Sequence, residues 1–491
     1  MLEWRSMGMF TWYRKGKRKR LASLALAGGL AALPAVAAAA PPTAREVQLE
    51  ERIRKLERII EQRGLDKPVA AEAPPMEKSE VEAIVDTKIK QQKVLAGWKD
   101  GFFLESPSGD FKMKIKGYIQ TDARFFPLEQ GDTGTDSIFL RRVRPTIEGT
   151  VYKYFDYKIM PDFGDGNTVL QDAYMDVTYF KPWTTLRAGK FKVPFSLERQ
   201  QSGADLLFVE RSLVQNLGQN RDVGFQFAGD FFDGSLGYQI GYFNGANDGA
   251  SLDKDTNSDK EAAARIFSNP FKTTDIAALT GLGVGIAGTF GDNKKGETQA
   301  AVRYNTPGRS RFFQYATSSD VEIQADGERT RFTPQMNYYW GPFGMMAEYV
   351  WDRQGLRKEN DETSRVVHDT FTNTGWFAQG SWVITGEDAS FKGVKPVNPF
   401  DPYNGRWGAF EIAFRGSQVD VDNELFRRGF AKEPNATTEA TNWGIGINWY
   451  LNNNFKLQTN WEHTKFAQDL NFGGDLRDHE DVVLTRFQIS Y

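Results

Sequence analysis

From Phe111 to Phe125 the chain alternates apolar and polar positions with a period of two. Phe111, Met113, Ile115, Gly117, Ile119, Thr121, Ala123 and Phe125 fall on one face, and Lys112, Lys114, Lys116, Tyr118, Gln120, Asp122 and Arg124 on the other. Successive side chains of a strand point to opposite faces, so this pattern predicts a strand that separates an apolar medium from water. It is long enough to cross a membrane, which takes about 9–11 residues of strand. The pattern recurs where Val143, Pro145, Ile147 and Val151 alternate with Arg142, Arg144, Thr146, Glu148 and Thr150. Further candidates run over 154–163, 170–180, 184–192, 221–231, 234–243, 262–268, 280–290, 298–305, 311–324, 328–340, 343–353, 373–384, 406–419, 441–451, 455–466 and 481–491. A single-chain bacterial barrel has an even number of strands. The eighteen candidates therefore predict sixteen strands, with the shortest pieces belonging to loops. The expected fold class is all-β, a transmembrane antiparallel β-barrel over residues 110–491.

The connections come in two sizes. Lys181-Pro182-Trp183, Phe232-Asp233-Gly234, Gly341-Pro342 and Asn452-Asn453-Asn454 are short, whereas 244–260, 354–370, 386–405 and 420–440 are long and polar. That asymmetry distinguishes the periplasmic from the extracellular end of such barrels. Tyr338, Tyr339, Trp340, Trp449, Tyr450 and Phe455 crowd the short turns, as an interfacial aromatic girdle would. The last strand carries Phe487, Ile489 and Tyr491 on one face and ends on the aromatic residue, like the C-terminal signal of outer-membrane barrels.

Ahead of the barrel the period changes. Residues 14–20 read Arg-Lys-Gly-Lys-Arg-Lys-Arg, an apolar run follows from Leu21, and small residues close it at Ala35–Ala40. This predicts a secretory signal peptide over 1–40, with a membrane anchor as the alternative. Leu49, Ile53, Leu56 and Ile60 are spaced four, three, four, a heptad seam within a helical, coiled-coil-like segment over 41–66. A single solvated helix fits that seam equally. Residues 67–109 form a linker, with Pro68, Pro74 and Pro75 as breakers and a second helical stretch near 77–95.

Composition refines this picture without deciding it. Mean hydropathy is −0.52, and past residue 40 there is no apolar run of about 18 residues, so helical spans are excluded. Barrel strands keep average hydropathy low, and a soluble all-β protein would do the same. The 491 residues contain no cysteine and three histidines, His368, His463 and His479, without ligand spacing. No Gly-x-Ser-x-Gly or His-Glu-x-x-His motif occurs, so neither an enzyme nor a cofactor or metal site is expected. The Asp-Gly stretch at 162–167 has turn chemistry. No nucleic-acid partner is expected. Losing residues 1–40 would remove seven Lys/Arg and one Asp/Glu, leaving 54 basic side chains against 63 acidic. Net charge thus opposes general anion binding, and local arrangement has to carry any such role.

Local rows of cations exist. Lys112, Lys114 and Lys116 share one face of the first strand, successive heads roughly 7 Å apart by strand rise. Arg142 and Arg144 share the polar face of the second strand, and Arg187, Lys190 and Lys192 follow. Asp156, Asp162, Asp172 and Asp176 fall on the same inner side, where they would temper the field or brace the cations. The long stretch 193–220 contains Val209-Glu210-Arg211-Ser212-Leu213, too apolar for a solvated loop. Folded into the barrel, it would bring Arg199 and Arg211 to the ion path. The alternatives are a solvated charged face and a loop packed on itself outside.

Several stretches together resemble the phosphate-selective porins typified by porin O and porin P. They are Gln171–Asp176, Arg187–Glu198 with its Gly-Lys-Phe-Lys-Val-Pro-Phe core, Phe208–Leu213, Ile384–Glu387 and Trp443–Tyr450. The resemblance spans most of 110–491. It implies sixteen strands, a homotrimer in outer-membrane lipid, an inward constriction loop, and lumen arginines and lysines that pass phosphate or polyphosphate. It places Lys192 just before that loop, Arg211 within it, and the Lys112, Lys114, Lys116 row at the periplasmic mouth. The expected function is therefore diffusion of small anions through a water-filled pore. A general non-selective porin and a structural or adhesion barrel are the alternatives.

Overall fold

The structure is a computed structural model. It describes residues 94–127, 135–251, 253–254, 258–293, 299–360, 365–472 and 474–491, together with Glu51, Arg54, Lys55 and Arg58. The chain divides into two compact units, 1–81 and 82–491. In the first, the four described residues are helical. The expected signal peptide, the heptad positions and the second helical stretch up to residue 93 lie outside the described residues.

The second unit opens with a hairpin of β1 (Leu95–Trp98) and β2 (Phe102–Glu105), inside the stretch expected to be linker. Trp98 and Phe102 meet edge to face at its turn, ring centres 4.7 Å apart. β2 pairs with the first residues of β3 (Lys112–Phe125), so the sheet starts before residue 110.

Sixteen antiparallel strands close the barrel. After β3 come β4 (Ser137–Val151), β5 (Phe155–Asp162), β6 (Val169–Phe180), β7 (Thr184–Lys192) and β8 (Arg221–Phe231). Next are β9 (Leu236–Phe243), β10 (Glu261–Ser268) and β11 (Leu282–Asn293). A small separate hairpin, β12 (Arg303–Asn305) and β13 (Arg311–Gln314), interrupts the series. The wall resumes with β14 (Val321–Trp340), β15 (Phe343–Asn360), β16 (Arg365–Val383) and β17 (Ala409–Asp420). It ends with β18 (Glu439–Tyr450), β19 (Phe455–Phe472) and β20 (Asp475–Ser490). Phe225 and Phe227 of β8 are 62% and 50% exposed on the outer face, and Gln226 between them is buried inside. In lipid every backbone N–H and C=O needs a protein partner, and a closed ladder supplies it.

The seam is β20 on β3, from Val483 opposite Phe125 to Ser490 opposite Tyr118. Tyr491 and Gly117 extend it, each backbone N–H donating to the other's carbonyl at 2.9 and 2.7 Å. On the inner face Arg486 donates from Nε and Nη2 to the two oxygens of Asp122, at 2.7 and 2.6 Å, with both side chains fully buried.

The alternation pattern locates the strands, with four corrections. The candidates 298–305 and 311–324 are the β12–β13 hairpin and the start of β14, which explains eighteen candidates for sixteen wall strands. The stretch 354–370 is not a long loop, because β15 and β16 run through it and leave only 361–364 between them. The connection 384–408 lies at the short-turn end, since β16 descends to it and β17 rises from it. Tyr450 belongs to no girdle; it is buried, and its hydroxyl donates to Glu411 at 2.7 Å. Trp340, Phe343, Trp382 and Trp407 do stand exposed at that end.

Asp122→Ala should leave Arg486 buried without its bidentate partner. Breaking a buried pair in this way costs roughly 3–5 kcal/mol. The urea midpoint of the barrel should fall, and the compact form on unheated gels should vanish at lower temperature; an unchanged midpoint would show that the seam does not depend on the pair.

Candidate functional site

The segment 193–220 leaves β7 and turns into the barrel because its apolar residues have nowhere else to go. Val193, Phe195, Leu197, Leu213, Val214 and Leu217 are buried in one cluster with Phe371, Phe377 and Val419 of the wall. A backbone inside a lumen still needs hydrogen bonds, and inward amides and cations of the wall supply them. Gln120 donates to the carbonyl of Gly203 at 2.8 Å, Asn448 to that of Leu207 at 3.0 Å and Gln458 to that of Leu206 at 3.0 Å. Lys456 donates to the carbonyl of Ala204 at 3.0 Å, and Val209 N–H to Asn460 at 3.1 Å. Ser196 caps the short helix Leu197–Gln200 and donates to Glu348 at 3.0 Å.

Glu210 ties this loop to the opposite wall. Arg141 donates to it through Nε at 2.5 Å, Arg142 reaches it at 3.5 Å, and Arg486 lies 3.6 Å away. A β-bulge makes this possible. Gln120 faces Arg142 but Thr121 faces Leu140, so Arg141 and Arg142 both turn inward. Burial would raise the Glu210 carboxyl, but the three guanidiniums hold it well below the usual range. Arg142 also donates to Gln120 at 2.8 Å, and Arg144 donates to Asp162 at 2.7 Å and to Tyr118 at 2.9 Å. Both are buried and brace the wall. The four inward aspartates are all engaged: Asp162 with Arg144, Asp172 with Lys158 and Arg221, Asp176 with Arg187, Asp156 with Lys181.

Three expected site residues behave differently. Lys192 donates to the carbonyls of Gln200 and Gln201 at 3.2 and 2.9 Å. Arg199 donates to the carbonyl of Gln215 at 2.6 Å, and Arg211 to those of Glu198 and Gln201 at 3.3 and 2.9 Å. None forms an ion pair with a described residue. A carbonyl dipole fixes a cation but leaves its unit charge in place. Burial and the neighbouring Arg211 charge lower the Arg199 pKa to about 9. Burial lowers that of Arg211 to about 10, with Glu198 opposing and Arg221 adding to the shift. Both remain cationic at neutral pH.

The Lys112, Lys114, Lys116 row lies on the inner face at the short-turn end. It is partly neutralised, Lys112 by Glu105 at 2.9 Å and Lys116 by Glu148 at 2.5 Å, while Lys114 forms no ion pair with a described residue. Beneath the loop lies a cavity of about 550 Å³, lined by Lys116, Lys158, Lys392, Lys395 and Lys456 against Asp100 and Asp205. Lys158 was readable from its parity with Asp156 and Asp162. Lys392 and Lys395 were not, because their connection was assigned to the other end; Gln201 of the loop donates to the carbonyl of Phe391 there at 2.8 Å. Lys190 stands apart. It pairs across the sheet with Ala173 and Val223, on the face opposite Arg187, and its ammonium contacts Asp253 at 2.6 Å.

Glu210→Ala should free the loop from β4, and single-channel conductance should rise severalfold. Equal conductance in variant and parent would mean that the apolar contacts and the other wall hydrogen bonds hold the loop without Glu210.

Residues 113–491 match the family described as phosphate-selective porin O and P. Porin O of Pseudomonas aeruginosa is 25% identical over 418 residues, covering 79% of this chain and 91% of that protein. Among solved structures, OmpF of Salmonella typhi superposes with a TM-score of 0.48 at 11% identity, covering 81% of this chain and all of the other. An anion-selective porin of Comamonas acidovorans superposes with a TM-score of 0.43 at 9% identity, covering 78% and 100%. With its match running from the first barrel strand to the last residue, the chain belongs to the phosphate-selective porin O and P family and is an outer-membrane porin.

Proposed function

We propose that this porin selects small anions, phosphate among them, and passes them by diffusion between the loop end and the lysine-lined cavity at the periplasmic, short-turn end. The observation that carries the reading is the trio Lys192, Arg199 and Arg211, held by main-chain carbonyls rather than carboxylates. Two unit charges 4 Å apart attract by about 4 kcal/mol at an effective dielectric near 20. Several such cations in succession draw an anion in, and each releases it to the next. Lys114 and the lysines of the lower cavity extend the series. The resemblance to phosphate-selective porins supports phosphate as a permeant, export by a cleaved signal peptide, and a homotrimer. A general porin is the second reading, favoured by the negative net charge and the pairing of Lys112 and Lys116.

Reversal potentials across a salt gradient should have the sign of anion preference. Replacing Lys192, Arg199 and Arg211 together by glutamate should invert it, whereas replacing the exposed Lys112, Lys114 and Lys116 should only weaken it. Phosphate should block chloride current in the parent; a pore that phosphate leaves unblocked is a general porin.

A further inference from the structure

The loop end holds a second group of guanidiniums, distinct from the trio Lys192, Arg199 and Arg211. A cavity of about 370 Å³ opens there, lined by Arg124, Arg309 and Arg311 together with Phe126, Asn435 and Phe472. No carboxylate is among the described residues that line it. The cavity is built by several elements. Arg124 comes from the end of β3, Arg309 from the turn between β12 and β13, and Phe472 from the end of β19. The turn is fixed. Arg309 N–H donates to the carbonyl of Thr306 at 2.9 Å and Ser310 N–H to the Thr306 hydroxyl at 3.1 Å, with Arg309 in the left-handed region at φ 69°. Arg124 Nη1 donates to the carbonyl of Gly308 at 2.6 Å, while its Nε is buried without a hydrogen-bond partner. Asp165 takes Arg309 bidentately. Arg311 forms no ion pair with a described residue.

The lining combines charge with apolar surface. The guanidinium of Arg124 lies 5.6 Å from the Phe126 ring centre, and Phe126 is buried. A site for a bare inorganic anion needs donors on all sides and little room. This one is lined by guanidiniums and by Phe126 and Phe472 together, and its volume is within the range of small organic ligands, about 300–1,000 Å³. Forked guanidiniums suit phosphate oxygens, and ring faces suit a flat apolar group.

We propose that this cavity is a capture site for phosphate monoesters that carry an aromatic group, with the phosphoryl group on Arg311 and Arg124 and the ring against Phe126 and Phe472. The proposal rests on the anion-pore reading, which it extends from inorganic to organic phosphates.

Planar-bilayer recordings with phenyl phosphate added to each side in turn test it. Phenyl phosphate should block chloride current from the loop side at lower concentration than inorganic phosphate does. Arg311→Gln should raise the half-blocking concentration of phenyl phosphate at least tenfold and leave that of inorganic phosphate within about twofold. Among the described residues Arg311 supports none through an ion pair; Arg124→Gln, which loosens the turn, provides a second variant. Phenyl phosphate no stronger than inorganic phosphate in the parent, or parental block in both variants, would overturn the site. If inorganic phosphate fails to block the parent while phenyl phosphate blocks it in an Arg311-dependent manner, the site stands and the inorganic-phosphate reading of the pore falls.

Discussion

The lumen is organised by one carboxylate among three guanidiniums. Glu210 sits at the far end of a loop whose apolar residues already bind it to β16 and β17, and its contact with Arg141 and Arg142 stretches that loop across the barrel to β4. A loop attached at one wall only would hang in the water path. Attached at both, it becomes part of the wall. The third guanidinium, Arg486, is committed to Asp122 at the seam, so barrel closure and loop placement share one buried charge cluster. This coupling explains why so many cations are buried here with carboxylate partners. A buried charge needs a partner, and Arg142, Arg144 and Arg486 have theirs.

The division of labour among cations follows from what binds them. Carboxylates neutralise, and a neutralised arginine is a strut. Carbonyls orient without neutralising, and a carbonyl-held cation keeps its field. The loop supplies the carbonyls because it crosses the lumen as irregular backbone, with C=O groups unspent on a ladder. The same bonds that satisfy its backbone therefore present Arg199 and Arg211 as fixed positive charges, with Lys192 held beside them. A chain with more acidic than basic residues can in this way keep cations beside its lumen unpaired with carboxylates, because acids are spent on struts such as Asp122, Asp162, Asp172 and Asp176.

The barrel was legible because strand periodicity is set locally by the pleat. Fourteen residues of clean alternation in β3 need no tertiary information. What escaped was set by contacts distant in sequence. The bulge at Arg141 is visible only as a change of phase between Ile138, Leu140 and Val143, Pro145, and its purpose requires Glu210. The β12–β13 hairpin reads like a wall strand because it too buries aromatic residues, with Tyr304 opposite Phe313 and Phe312 at an irregularity beside them, but these join the same buried cluster as the 193–220 loop. The expected site residues fall into three environments. Lys192, Arg199 and Arg211 share an environment, Arg142 and Arg144 are struts, and Lys190 pairs on the other face.

These differences place the water path to one side of the barrel. On β17, β18 and β19 the inward Ser417, Asn442, Gln458 and Glu462 have essentially no exposure, because the loop covers them. On β3, β5 and β7 the inward side chains of Lys116, Lys158 and Arg187 keep 37%, 24% and 27% of theirs. The covered wall supplies the hydrogen bonds that hold the loop, and the cations of the open wall are each paired with a carboxylate, Lys116 with Glu148, Lys158 with Asp172 and Arg187 with Asp176. An ion passing the loop therefore meets carbonyl-held loop cations on one side and carboxylate-paired strand cations on the other. Since attraction grows as separation falls, the loop adds to the field in two ways, by narrowing the gap and by the cations it holds.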